Sequence, residues 1–206
     1  MLIPAVAAAV ILLSSCGSDD TTLSKAYEDH FLIGTAINRM QVSGADPQAM
    51  PFIAKQFNSV TAEDAMKWER IHPEPGRYEF GLADSIVDFA ERNGMKVIGH
   101  VLLWHSQTPD WVFQDSLGNP LTRDALLERL REHIQTVVGH YRGRVLGWDV
   151  VNEAVDEDGS LRKTKWLEII GEDYIEKAFI FAHEADPDAE LYYNDYNNEE
   201  RAKRAG

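Results

Sequence analysis

The chain has 206 residues, 44% hydrophobic and 26% charged, a balance that fits a soluble globular fold and excludes disordered and membrane-spanning compositions. With 34 acidic against 20 basic residues the formal net charge is -14, a field that repels phosphate backbones and argues against a nucleic-acid partner. The single cysteine, Cys16, removes intrachain disulfides and cysteine-based zinc sites from consideration.

In chain order the first feature is the apolar run from Leu2 to Leu13, too short to span a bilayer as a helix, which ends in Leu13-Ser14-Ser15-Cys16. It resembles a bacterial lipoprotein leader, cut just before a cysteine that is then lipidated. On that reading residues 1–15 are a signal peptide, residues 16–26 a solvated tether, and residues 27–206 the folded domain. The protein is then exported to the bacterial cell surface or periplasm and meets the membrane only through a lipid on Cys16. No basic residue precedes the apolar run, so an ordinary signal peptide with an unmodified cysteine, and simple secretion, is the alternative.

Short apolar segments then alternate with longer amphipathic ones. Strands are expected at Phe31–Ala36, Ser59–Glu63, Lys96–Leu103, Val145–Val151 and Glu190–Asn194. Asp46-Pro47 opens the first intervening helix and Asn93-Gly94 closes the second. The third starts at Thr122 as a cap, and Leu126, Leu130, Ile134 and Val138, beside Leu127, Val137 and Tyr141, give it one apolar stripe. A fourth runs from about Asp173 to Ala185, stopped by Asp186-Pro187, and a further one is expected from near Asn198.

A helix after every strand suits either an open doubly wound sheet or an eightfold barrel, and periodicity does not separate them. The chain lacks G-x-G-x-x-G and Walker-type loops, which lowers the nucleotide-binding version. Polar and aromatic residues at the C-terminal ends of the strands favour the barrel, whose reacting groups sit on those loops.

Three strand ends carry the candidate chemistry. The fourth ends in Trp148-Asp149-Val150-Val151-Asn152-Glu153. A carboxyl delivered from an apolar strand into a cleft can be held protonated, because partial burial disfavours its charged form, and can then donate to a leaving oxygen. Asn152 adds a donor and an acceptor for a sugar hydroxyl. Strict strand alternation points Asn152 and Glu153 apart, so both reach one site only where the strand breaks into its loop. Taken alone, the dipeptide reads equally as a polar strand end.

On the third strand, His100, Leu102 and Trp104 share a face by the two-residue period, which pairs an imidazole with a flat aromatic surface suited to a pyranose. Structural roles for His100, His105 and Trp104 are the bland alternative. A metal site fits less well, since His100 and His105 face opposite sides and no third ligand is evident. After the second strand come Glu63, Asp64 and Lys67, either a hydroxyl-gripping cluster or a solvated loop.

These segments together resemble the endo-xylanases of glycoside hydrolase family 10. The carrying pieces are Phe57-Asn58-Ser59-Val60-Thr61-Ala62-Glu63 with Met66-Lys67-Trp68, the stretch Gly99 to Trp111, Trp148 to Ala154, and Tyr193-Asn194-Asp195-Tyr196-Asn197. The resemblance implies a (β/α)8 TIM barrel of which about five strand–helix units are present, retaining hydrolysis of internal β-1,4 bonds in xylan, and no cofactor. It makes Glu153 the general acid/base and Asn152 the residue that holds the sugar 2-hydroxyl. Glu63, Lys67, His100 and Trp104 match positions on the glycone side of the cleft, and Gln107 and Tyr196 match further cleft positions. Asp64 stands where the family commonly has asparagine, losing an amide donor and adding negative charge.

A retaining mechanism needs two carboxyls about 5–5.5 Å apart. The resemblance places the second on the seventh strand in a Thr-Glu-Leu-Asp-like segment, which this chain does not contain, so the nucleophile is expected beyond Gly206 in a longer parent. The alternative function is a non-catalytic xylan-binding surface protein.

Overall fold

The computed structural model describes residues 21–200. Five strands form one parallel sheet: β1 (Gly34–Ile37), β2 (Ser59–Ala62), β3 (Lys96–Trp104), β4 (Gly147–Asn152) and β5 (Glu190–Asn194). Their order in the sheet is β1-β2-β3-β4-β5, the order of the sequence. A doubly wound sheet reverses direction at a switch point, whereas a barrel adds each strand beside the last, so the topology is that of a barrel arc.

The helices are α1 (Leu23–Ala26), ahead of the first strand, and, between the strands, α2 (Arg39–Val42), α3 (Ala49–Gln56), α4 (Trp68–Ile71), α5 (Gly81–Arg92), α6 (Arg123–His140), α7 (Lys165–Ile170) and α8 (Tyr174–Ala185), with a 3-10 turn at Asp110–Phe113. Local chemistry sets their ends. The Asp46 carboxylate accepts from the N–H groups of Gln48 and Ala49 ahead of α3, and Thr122 Oγ1 accepts from Ala125 N at the start of α6. Beyond α5, Asn93 is followed by Gly94 at φ +66°, a left-handed position that glycine takes without penalty.

The apolar stripe of α6 is buried as expected through Leu126, Leu130, Ile134, Val137, Val138 and Tyr141. A histidine also lies in it. His133 is fully buried, its ring 3.6 Å from that of Trp68 by centroid, and its Nδ1 lies 3.2 Å from Nδ1 of His72. His72 in turn stacks on Tyr78 at 3.9 Å. Burial, reinforced by the Arg129 guanidinium, pushes the His72 imidazole down to about 4. His133 is held well below the ordinary range by burial first and His72 second.

β3 and β4 approach closely because Gly99 has no side chain: a Cβ there would lie 2.2 Å from Cε3 of Trp148, which is 1% exposed and fills that space. The ladder is irregular just beyond. The pairing of β3 with β4 skips a residue between His100 and Leu103, and Val101, Leu102 and Leu103 are all buried. The strict two-residue alternation expected for His100, Leu102 and Trp104 therefore breaks within this strand. The His100–Val101 peptide bond is cis.

Two boundaries differ from those expected. The first strand starts at Gly34, not Phe31; Phe31 and Leu32 are 57% and 46% exposed, and Phe31 stacks on Tyr27 at 5.0 Å before the strand begins. Leu23–Ala26, assigned to the tether, forms α1, capped by Thr22 and tied by Leu23 N to Gln56 Oε1 at 3.0 Å. The helix expected from Asn198 begins as a turn at 198–199, and residues 201–206 lie outside the described ones. Cys16 and the proposed leader also lie outside them. Among the described residues no helix is long and apolar enough to cross a membrane.

Candidate active site

The C-terminal ends of β3, β4 and β5 stand in a row. Trp104 pairs in register with Asn152, and Asn152 with Asn194. β4 ends at Asn152, and the next residue, Glu153, turns into the left-handed region at φ +54°. That turn is the break in alternation which lets the two neighbours serve one site. Glu153 N–H donates to the Asn194 carbonyl at 2.9 Å, and its carboxylate Oε2 accepts from Trp104 Nε1 at 3.0 Å. The Asn152 side chain, 3% exposed, comes within 3.1 Å of the same indole nitrogen and meets the Asn194 amide at 2.8 Å.

Trp104 is held from below. Its carbonyl accepts from Trp166 Nε1 at 2.9 Å and from Thr108 Oγ1 at 2.8 Å, and Trp166 is itself buried. Lys67 Nζ lies 4.9 Å from the Trp104 ring centroid, a cation–π distance. The same ammonium donates to Gln107 Oε1 at 2.8 Å, and Gln107 Nε2 donates to Glu69 Oε1 at 3.1 Å. Lys67, Gln107, Trp104, Asn152 and Glu153 thus form one connected polar network.

His100 joins the neighbouring position. Its Nδ1 is 2.8 Å from Asp149 Oδ2, both side chains are 15% exposed, and the two residues are register partners on β3 and β4. A carboxylate only accepts, so the imidazole Nδ1–H is the donor in this pair and Nε2 is left for a second partner.

Glu63 and Asp64 sit at the rim, after β2. They line a cavity of about 410 Å3 with Lys67, Gln107, Asn38 and Arg39. Glu63 is exposed. Asp64 Oδ2 is 3.6 Å from Arg70 Nε, while its Oδ1 is buried with no hydrogen-bond partner. On the other flank a cavity of about 730 Å3 is bounded by His105, Asp156, Arg162 and Trp166 among others. Partial desolvation lowers the His105 imidazole, and the Arg162 cation lowers it further against the opposing pull of Glu153, Asp156 and Asp195.

Tyr196 lies on the loop after β5, 43% exposed, and its hydroxyl accepts from Arg162 Nη2 at 3.0 Å. Arg162 links it to the centre, because its Nε donates to the Glu153 carbonyl at 3.0 Å. The site therefore includes residues that sequence reasoning did not single out: Asp149, Arg162, Asn194, and Tyr193, whose hydroxyl accepts from the N–H groups of Ala154 and Val155. Asp149 and Asn194 stand inside recognised segments, but only the register of the sheet shows what they face. Among the described residues no three His, Cys, Asp or Glu side chains are grouped so as to hold a metal ion.

A carboxyl group on a strand end, flanked by an indole, a lysine, amides and an imidazole, gives one cleft both a group that can donate or accept a proton and partners that can bind hydroxyls. Comparison with known proteins gives the family. The model of glycosyl hydrolase family 10 matches residues 22–206. The chain is 51% identical over 190 residues to a beta-1,4-xylanase of Dictyoglomus thermophilum, covering 91% of this chain and 51% of that protein. It is 47% identical over 192 residues to endo-1,4-beta-xylanase A of Xylanibacter ruminicola, covering 93% and 52%. Among solved structures, a family 10 endoxylanase from a sugarcane soil metagenome matches with a TM-score of 0.86 at 44% identity, covering 88% of this chain and 53% of that one. Xylanase XynB of Paenibacillus barcinonensis matches with a TM-score of 0.84 at 48% identity, covering 91% and 56%. The chain spans about half the length of the curated relatives it matches. Its described residues form five parallel strands and the helices that connect them, an arc of a (β/α)8 barrel, and the chain belongs to glycosyl hydrolase family 10.

Proposed function

We propose that this chain carries the acid/base half of a retaining endo-β-1,4-xylanase. Glu153 protonates the departing xylosyl oxygen, and as a carboxylate it then activates the water that frees the covalent intermediate. The observation that carries the reading is the seating of Glu153 at the end of β4, with its Oε2 on Trp104 Nε1 and its backbone N–H on Asn194. Asn152, His100 and Lys67 take sugar hydroxyls beside it. Glu63, Asp64 and Gln107 extend the same cleft on one side, and Tyr196 on the other. The attacking carboxylate belongs, on this proposal, to the part of the relatives' length that this chain does not span.

Residues 1–15 as a signal peptide and Cys16 as a lipidated anchor complete the proposal, placing the enzyme at the bacterial surface or in the periplasm with its domain from about residue 22 onward. The apolar run ending in Leu13-Ser14-Ser15-Cys16 supports this part.

The test is Glu153→Gln in the full-length protein. Xylan hydrolysis, read as released reducing sugar, is expected to disappear, while an aryl xyloside with a very good leaving group keeps part of its turnover in the glycosylation step. Undiminished xylan hydrolysis would remove Glu153 from the role. Retention of xylan in an affinity gel by the wild-type protein, with no sugar released, would favour the binding-protein reading instead.

A further inference from the structure

Arg162 precedes α7 on the loop that follows β4, and its side chain is 19% exposed. Four acceptors from two loops converge on its guanidinium. Nε donates to the Glu153 carbonyl at 3.0 Å, Nη2 donates to the Val155 carbonyl at 3.3 Å and to the Tyr196 hydroxyl at 3.0 Å, and Nη1 pairs with Asp156 Oδ1 at 2.9 Å. Its backbone N–H donates to the Ala154 carbonyl at 2.8 Å. A guanidinium presents five donors in one rigid plane, so it can hold this many acceptors in a fixed arrangement where an ammonium cannot.

The residue it grips first is the strained one. Glu153 sits at φ +54°, which disfavours a side-chain-bearing residue and persists only where the surroundings over-determine it. Hydrogen bonds hold both of its peptide groups: its own N–H on the Asn194 carbonyl at 2.9 Å, and its carbonyl on Arg162 Nε, beside which the Ala154 N–H of the same peptide donates to the Tyr193 hydroxyl at 3.0 Å. The first comes from the neighbouring strand. The bond to the carbonyl depends on a single side chain nine residues downstream.

We propose that Arg162 is a positioning residue for the acid/base: it holds the left-handed backbone of Glu153 that directs the carboxylate to Trp104 Nε1, and it ties that backbone to Tyr196. The proposal rests on the reading of Glu153 as acid/base. It concerns orientation alone, because Arg162 contacts the Glu153 carbonyl and not its carboxylate.

The experiment compares Arg162→Met and Arg162→Lys with wild type in the full-length protein, using two readouts. The first is kcat/KM, which reports the glycosylation step, on xylan against an aryl xylobioside whose leaving group needs no proton. Misplacing a reacting group by about 1 Å lowers turnover by about 10²-fold. Arg162→Met is therefore expected to lose about that factor on xylan, far less on the aryl substrate, with KM little changed, and Arg162→Lys to recover part. Equal losses on both substrates, tracking a lowered melting temperature, would overturn the proposal.

The second readout is the indole N–H resonance of Trp104 in a nitrogen-15 spectrum, identified by its absence in Trp104→Phe. It reports the Trp104–Glu153 hydrogen bond whether or not the protein is active. A shifted resonance in a folded Arg162 variant upholds the positioning role, and a resonance coincident with wild type in both variants overturns it. If wild type itself releases no sugar from xylan, the xylanase reading fails, and the indole resonance still decides what Arg162 does.

Discussion

Trp104 on β3 and Glu153 at the end of β4 are joined by one hydrogen bond, Nε1 to Oε2 at 3.0 Å, between residues 49 positions apart in the chain. Removing one partner of a buried hydrogen bond costs about 1–3 kcal/mol. Trp104→Phe keeps a ring over Lys67 but removes the donor. It is expected to lower kcat/KM on xylan by about 10- to 100-fold, measured by initial rates of sugar release. Rates equal to wild type would assign the indole to packing alone.

The pairing of His100 with Asp149 gives a second expectation. The carboxylate fixes the hydrogen on Nδ1, and asparagine can present either a donor or an acceptor, so Asp149→Asn unlocks the tautomer. KM for a xylo-oligosaccharide is expected to rise by about tenfold, the loss of one hydrogen bond to substrate, with kcat less affected. A variant with unchanged KM would show that His100 does not need its orientation to bind sugar.

Asp64 combines an unpartnered buried oxygen with extra negative charge beside Glu63 and Lys67. Asp64→Asn supplies an amide donor and removes the charge. Binding of a xylo-oligosaccharide to the Glu153→Gln protein, followed by calorimetry, is expected to tighten by several-fold, about 1 kcal/mol. Weaker binding would mean that the carboxylate itself takes a sugar hydroxyl.

The buried His72–His133 pair predicts acid sensitivity. In the unfolded chain His72 takes a proton near pH 6.5, and in the fold only near 4. Between those values the unfolded state binds more protons, so stability is full above about pH 6.5 and falls as the pH drops towards 4. Protonating both rings would also break their Nδ1–Nδ1 hydrogen bond. Melting temperatures from pH 8 to pH 4 are expected to fall more steeply for wild type than for His72→Gln/His133→Gln. Parallel profiles would assign the acid sensitivity to other groups.

Periodicity and punctuation made the scaffold legible. Strands β2 and β5 fall where their β-branched and aromatic runs lie, and Asp46, Thr122 and Asn93-Gly94 mark helix ends by local hydrogen bonding and backbone freedom. Periodicity alone did not separate barrel from doubly wound sheet, because strand order is not encoded by neighbouring residues; the polar and aromatic strand ends and the family resemblance pointed to the barrel, and the strand order bears that out. The short helices α4 and α7 and the turn at Asp110–Phe113 were missed, since four to six residues carry no measurable period. In the site, Glu153, Asn152 and Trp104 were visible as motif residues. Asp149 and Arg162 were not, because each is defined by an acceptor or donor on another segment. His133 hid in an apolar stripe as a polar residue whose partner lies 61 positions away.

The left-handed backbone of Glu153 has a consequence for anyone seeking a hardier enzyme. A non-glycine residue held there carries about 1–3 kcal/mol of strain, which glycine would relieve. Glycine would give up the hydrogen bond to Trp104 Nε1 together with the strain, so selection for heat tolerance could relieve the backbone here only by discarding both that bond and the proposed proton donor.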